Sequence, residues 1–174
     1  MNNFANIIPI AQYNKVSYYS VSINEDDEPL FEQFINKQHV NNKDKLDHIL
    51  NWLKIIGDRY GAQKHHFRFE GETADTSALP PKGIDRKPQY TEDGKNTANN
   101  LRLYCLRANE SVVFLFNGDI KTKQTAQNCP NVKQHFRLAN QITKAIDNAF
   151  KERDIIWNDD CTQIEYDENL IIYF

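Results

Sequence analysis

A chain of 174 residues with 40% apolar and 11% aromatic content has the size and composition of one globular domain with a sizeable core. No apolar run approaches the ~20 residues that cross a bilayer, and three widely spaced cysteines, Cys105, Cys129 and Cys161, offer neither a disulfide framework nor CxxC zinc spacing. The net charge of −3 is unevenly spread: residues 64–137 hold twelve Lys/Arg against eight Asp/Glu, whereas 24–60 hold five against eight and 138–174 three against eight. A basic centre suited to phosphate therefore lies between acidic flanks.

The first fifteen residues show a short apolar patch but no basic n-region and no small-residue cleavage site. We expect no signal peptide, no membrane association, and inert reduced thiols in a cytoplasmic setting. Val16 to Ile23, rich in β-branched and aromatic residues, predicts a strand. An acidic turn follows, and Leu30, Phe31, Phe34 and Ile35 fall at helical spacing. After a break near His39–Asn41, Asn42 is placed to cap a second helix whose apolar face is Leu46, Ile49, Leu50, Leu53 and Ile56, ended by Gly57 or Gly61. Residues 28–60 thus read as a helical hairpin.

Phe67–Glu70 predicts a short strand. Residues 71–100 are polar, rich in Thr, Asp, Asn, Gly and Pro, and long for a connection inside a domain; they read as a mobile insertion. Leu101–Arg107 and Ser111–Asn117 are the clearest strands, the second carrying the continuous apolar run Val112–Phe116 expected of a central strand, with turn chemistry at Asn117–Gly118–Asp119. Pro130 can open a helix, and Val132, Phe136, Ala139, Ile142, Ile146 and Ala149 form its stripe. The tail, 152–174, alternates as a C-terminal β-hairpin. The expected fold is one α+β domain, a small antiparallel sheet with helices on one face.

Chemistry concentrates between residues 101 and 137. Arg102 and Tyr104 alternate onto one face of their strand, opposite Leu101, Leu103 and Cys105. Lys121 and Lys123 point the same way in extended chain. Arg holds phosphate bidentately and Lys supplies a point charge, so this group is suited to the extra charge of a phosphoryl transition state. A solvated lysine turn with Arg102 paired to a carboxylate is the plainer alternative. His135, flanked by Lys133 and Arg137 on the last helix, is a candidate proton shuttle, or simply a surface histidine. His65 and His66 are adjacent and so do not form a paired ligand set. No dinucleotide-fold, P-loop, nucleophile-elbow or HExxH motif is present, and no cofactor or metal is expected.

The run Leu101-Arg102-Leu103-Tyr104, then Val112–Phe116, then Lys121-Thr122-Lys123-Gln124-Thr125 and the helix containing Ala139, preceded by a helical hairpin, resembles the RelE/HigB-like toxins of bacterial toxin–antitoxin modules, specifically the phage-derived HigB subgroup. The resemblance covers a core of about residues 43–150 within a single 1–174 domain. It implies a RelE-like fold and a metal-independent mRNA endoribonuclease, usually working on the ribosome, in which a 2′-OH attacks the adjacent phosphate. It further implies a small helix-turn-helix antitoxin as partner and mobile-element origin. Carried over, Arg102, Lys121 and Lys123 match the basic positions. Tyr104 and His135, which no motif position fixes, are candidates for proton transfer, and the nearby cations Arg107, Lys133 and Arg137 are expected to contact RNA. The chain departs from that pattern in its length, its acidity, the 71–100 insertion and the C-terminal hairpin; the acidic stretch Asp154 to Glu168 could cover the basic groups or replace an antitoxin contact. Two other readings stand beside this one: a non-catalytic RNA- or protein-binding module on the same fold, and a structural oligomer subunit.

Overall fold

The computed structural model describes residues 2–70, 75–123 and 125–174, and of Gln127 only the backbone. In chain order the elements are strands β1 (Phe4–Gln12) and β2 (Ser17–Ile23), helices α1 (Leu30–Asn41) and α2 (Lys43–Ile55), strands β3 (Arg68–Phe69), β4 (Thr76–Leu79), β5 (Thr91–Glu92), β6 (Lys95–Asn96), β7 (Leu101–Arg107) and β8 (Val112–Ile120), helix α3 (Pro130–Lys151), and strands β9 (Ile155–Trp157), β10 (Ile164–Tyr166) and β11 (Ile172–Tyr173). The class is α+β, as the pattern of elements predicts. A seven-stranded sheet runs β11-β1-β2-β8-β7-β4-β3, and β5–β6 and β9–β10 form separate hairpins.

β8 sits in the middle of the sheet, paired antiparallel with β7. The apolar run Val112–Phe116 is buried on both faces because each face carries helices. Phe114 and Phe116 join a core with Phe136, Ile142 and Ile146 of α3, while Val113 and Leu115 join a second core with Phe34 of α1 and Ile49 and Trp52 of α2. The expectation of helices on one face is therefore corrected. One sheet face cannot bury three amphipathic helices, and the sheet has two apolar faces to cover. The α1–α2 hairpin takes one and α3 the other.

The expected all-antiparallel sheet is also corrected, since β2 pairs with β8 in parallel. The chain leaves β2 through the helical hairpin, lays down β4 and β7, and returns β8 into the gap beside β2. Side-chain alternation is the same for parallel and antiparallel neighbours, so the residue pattern alone carried no sign of this.

Several boundaries shift for local reasons. Only Asn42 separates α1 from α2, and its amide side chain bonds back to Gln38 rather than capping α2. α2 runs on through a π-turn, Ile56–Tyr60, and stops at Gly61, whose φ of +73° excludes most other residues. The polar insertion is no detached flap. Residues 71–74 lie outside the described residues, but β4 joins the main sheet against β7, and Asn99 ties the following segment to α2 by donating to the Lys45 carbonyl and to His48 Nδ1. His48 Nε2 in turn donates to the Pro88 carbonyl.

The turn expected at Asn117–Asp119 is instead strand. β8 continues to Ile120 through an irregularity opposite Tyr104, after which Gly118 pairs with Leu103. A Cβ at Gly118 would lie 1.8 Å from the Arg102 carbonyl oxygen, so only glycine permits this approach. At the C-terminus the hairpin is β9–β10, and β11 pairs with β1 at the sheet edge. β1 itself was not recognised as a strand in the sequence.

Candidate functional site: a buried anion receptor

Arg102 lies on the α3 side of β7, one residue from Tyr104, whose ring packs against Phe136 of α3 at 5.4 Å. Both are enclosed: Arg102 is 8% exposed and Tyr104 0%. Lys121 leaves the end of β8 on the same side. Between the two cations stands Glu70, just after β3. Its Oε2 accepts from Lys121 Nζ at 2.8 Å, and its Oε1 lies 3.6 Å from Arg102 Nε. The Glu70 side chain is 5% exposed and that of Lys121 10%. Arg102 also donates through one terminal nitrogen to the Asn99 and Leu101 carbonyls, at 2.6 and 3.1 Å.

Arg68, two residues before Glu70, belongs to the same electrostatic group. Its Nε donates to the Pro80 carbonyl at 3.2 Å. Burial and then the neighbouring Arg68 pull the Arg102 guanidinium down to about 10, against the opposing pull of Glu70; it remains charged at neutral pH. Arg68 is likewise lowered, by burial first. Three cations share one carboxylate, so the group carries a surplus of positive charge. Among the described residues the Arg102 Nε and the Tyr104 hydroxyl are buried with no hydrogen-bond partner. Burial and then Glu70 push the Tyr104 phenol well above its usual range, so it stays protonated at neutral pH.

The loop carrying the lysines is pinned at the start of α3. The Thr122 amide donates to Cys129 Sγ at 3.3 Å. Burial pushes the Cys129 thiol up, but the Thr122 hydroxyl and the amides of Thr122, Lys123 and Val132 outweigh it and bring the thiol down to about 7. Cys129 occupies the N-cap position of α3 and is inaccessible to solvent. It was read in the sequence as an inert thiol; its place here is as an acceptor that orders the loop.

The structure thus brings Arg102, Tyr104 and Lys121 together. Lys123 is exposed on the same loop, and Gln124 lies outside the described residues. Four residues do not join them as expected. Arg107 is five positions along β7 from Arg102, about 17 Å in a strand, and its Nε donates to the Ala62 carbonyl. His135 is half-buried on α3, its ring lowered by burial, and the charges it feels are Asp119 and Lys37 rather than the Glu70 group. Asp119 is itself held by Lys37 at 2.6 Å. Lys133 and Arg137 are exposed, one turn apart on the outer face of α3. The acidic tail does not cover the receptor. Its hairpin lies near the β7–β8 turn, where Asn109 donates to the Cys161 carbonyl, and Ile164 packs into the α3-side core.

Sequence reasoning missed Glu70 and Arg68. The signal was available, because residues two apart in extended chain point the same way, so an Arg-x-Glu strand aims both groups at one neighbour. Among the described residues no group of three or more His, Cys, Asp or Glu side chains is placed to hold a metal ion, and no helix is long and apolar enough to cross a membrane. Compared with protein-family models, curated proteins and solved structures, the chain matches none.

Proposed function

We propose that the protein is an RNA-directed toxin of the RelE/HigB-like kind, a metal-independent endoribonuclease of the cytoplasm that a small helix-turn-helix antitoxin restrains. One observation carries this reading: Arg102 and Lys121, the positions the resemblance assigns to phosphate, close on the two oxygens of a single carboxylate. Glu70 occupies the place an RNA phosphate would take. With Glu70 displaced, Arg102, Lys121 and Arg68 would face the scissile phosphate, and the exposed Lys123 would add a fourth cation. Attack by a 2′-OH builds negative charge on the phosphoryl oxygens, and prearranged cations in a dry site stabilise it strongly. Tyr104 keeps its proton at neutral pH and so does not act as a base.

A second reading is favoured by a different observation. No acid–base pair among the described residues stands open beside the receptor, since Tyr104 is sealed and His135 faces Asp119. A non-catalytic RNA-binding module would need none.

The test is purified protein on labelled RNA, with and without ribosomes and EDTA, using wild type, Lys123→Ala, Glu70→Gln and the pair Glu70→Gln/Lys121→Gln. The pair replaces a simple Lys121 truncation because Lys121 is buried in an ion pair and its loss alone would strand a charge. For the nuclease reading, wild type cleaves in EDTA, and the pair loses about 10²–10³-fold in rate. Glu70→Gln binds RNA more tightly than wild type. RNA bound but never cleaved, by folded wild type under all conditions, selects the binding module. Failure of Glu70→Gln to strengthen RNA binding discards the receptor assignment.

A further inference from the structure

A second set of cations lies at the other end of α2. The π-turn Ile56–Tyr60, the tight turn Lys64–His66 and the segment around Arg86 wall an open cleft of about 590 Å³. Arg59, Arg86 and Lys87 line it, and no Asp or Glu does. Among the described residues none of the three is ion-paired to a carboxylate. Three unneutralised cations converging on one concavity create a strong local field for an anion.

The cleft also has flat walls. Tyr60 stacks on His66 with centroids 4.8 Å apart and planes 18° from parallel, yet it remains 41% exposed. His66 is 6% exposed and touches the Trp52 and His65 rings, at 6.1 and 4.1 Å. Among the described residues its Nδ1 is buried without a partner. Arg86 is locked rather than loose: its guanidinium lies 5.5 Å over the Trp52 ring and donates to the His65 carbonyl at 2.8 Å. A supported, half-exposed aromatic ring beside fixed and free cations matches a base with its phosphate: stacking recognises the π-face and the cations the charge. An acidic peptide would use the cations and leave the ring unused.

We propose that this cleft binds an unpaired nucleotide, its base stacked on Tyr60 and its phosphate held by Arg59 and Lys87. It stands apart from the Glu70 receptor and involves none of its residues. It rests on the reading above only in taking RNA as the strand. Both a free nucleotide and a nucleotide within a single strand carry this chemistry.

The experiment is fluorescence anisotropy of a labelled single-stranded RNA decamer, in titrations over a range of salt, with melting curves run on every variant. Tyr60→Ala weakens binding roughly tenfold, the scale of one lost base–aromatic stack, and Tyr60→Phe stays within about twofold. Arg59→Ala with Lys87→Ala lowers the slope of log affinity against log salt by about 0.7, the value for one phosphate on a single strand. Competition with AMP separates the sources: displacement at micromolar AMP assigns a free-nucleotide site, and none at millimolar AMP assigns a strand. Wild-type-like binding by a folded Tyr60→Ala variant overturns the proposal, as does equal affinity for duplex RNA. RNA cleavage that persists in Tyr60→Ala at saturating RNA but is lost in Glu70→Gln/Lys121→Gln keeps the two sites distinct. A cleft that binds acidic peptide and no RNA overturns the proposal in favour of a protein partner.

Discussion

The molecule holds two groups of cations built from the same side chains and put to opposite physical use. Around Glu70, Arg102 and Lys121 are withdrawn from water and Arg68 is half-buried; carbonyls fix the two arginines, and one buried carboxylate partly neutralises the group. Around Tyr60, the cations Arg59 and Lys87 are exposed, line the same cleft as the aromatic ring, and have no carboxylate partner among the described residues. Charge in the first group is bound up with folding, because a buried ion without its partner is costly. In the second it costs the fold little and is free for a ligand. A count of basic residues along the chain puts Arg68, Lys87, Arg102 and Lys121 in one basic centre and leaves Arg59 in an acidic flank. Burial and the nearness of Glu70 separate them.

The largest expected effect tests that separation directly. Lys121→Ala leaves Glu70 buried with only a long contact to Arg102, and should cost about 3–5 kcal/mol. Arg59→Ala, at the open cleft, should stay within about 0.5 kcal/mol of wild type. Urea denaturation of both variants measures the contrast, and equal losses would erase it. Lys123 is exposed on the same loop, so its replacement by Ala should also fall within about 0.5 kcal/mol.

Next in size is Gly118→Ala. The added methyl meets the Arg102 carbonyl oxygen, which belongs to the strand backbone and cannot step aside alone. Overpacking of this kind costs about 1–3 kcal/mol. Because the shift falls on Arg102, RNA binding at the receptor should weaken while the Tyr60 cleft keeps its affinity. Parallel loss at both sites would show that they are one surface.

A pH experiment sharpens the open cleft. His66 is held down to about 4, by burial first and then by His65 and Arg86. An unfolded histidine takes its proton near 6.5, so between these values the unfolded chain binds more protons than the folded one. The stability tied to His66 is whole above pH 6.5 and is lost as pH falls toward 4. Wild type should therefore lose roughly 3 °C or more of Tm over that window relative to His66→Gln, the shift about 1 kcal/mol produces in a chain this long. Identical acid limbs for the two proteins would place His66 outside the wall of the cleft.

The smallest effect concerns Tyr104→Phe. The hydroxyl is buried and without a partner among the described residues, so its removal should leave stability unchanged or raise it by up to about 1 kcal/mol. If the same variant cleaves RNA far more slowly, the hydroxyl donates in the reaction; unchanged cleavage leaves Tyr104 as a wall of the receptor.

What could be read from the residues was whatever depends on local periodicity. The run Val112–Phe116 marked a central strand, and the stripe from Val132 to Ala149 marked α3. The alternation of Leu101, Leu103 and Cys105 against Arg102 and Tyr104 placed the last two on one face of β7. Arg102 and Lys121 were singled out by charge and spacing, and they do meet. The N-terminal strand was missed because β1 is half-buried along much of its length and lacks a clean alternation. The C-terminal strand was misassigned because β11 is two residues long and exists only by pairing with β1.

Other features belong to the tertiary structure alone. The parallel joining of β2 to β8, the covering of both sheet faces, and the strand continuing through Gly118 depend on which segments lie side by side. So do the two sites. Glu70 becomes the carboxylate of Arg102 and Lys121 only because β3 and β8 end on the same side of the sheet, some fifty residues apart in the chain. Tyr60, His66 and Arg86 become one cleft only because a π-turn, a tight turn and a distant loop fold against Trp52. Side-chain periodicity is a property of neighbours along the chain. Burial and charge pairing are properties of neighbours in space, and in this protein they set which cations are committed to the fold and which stay open to a ligand.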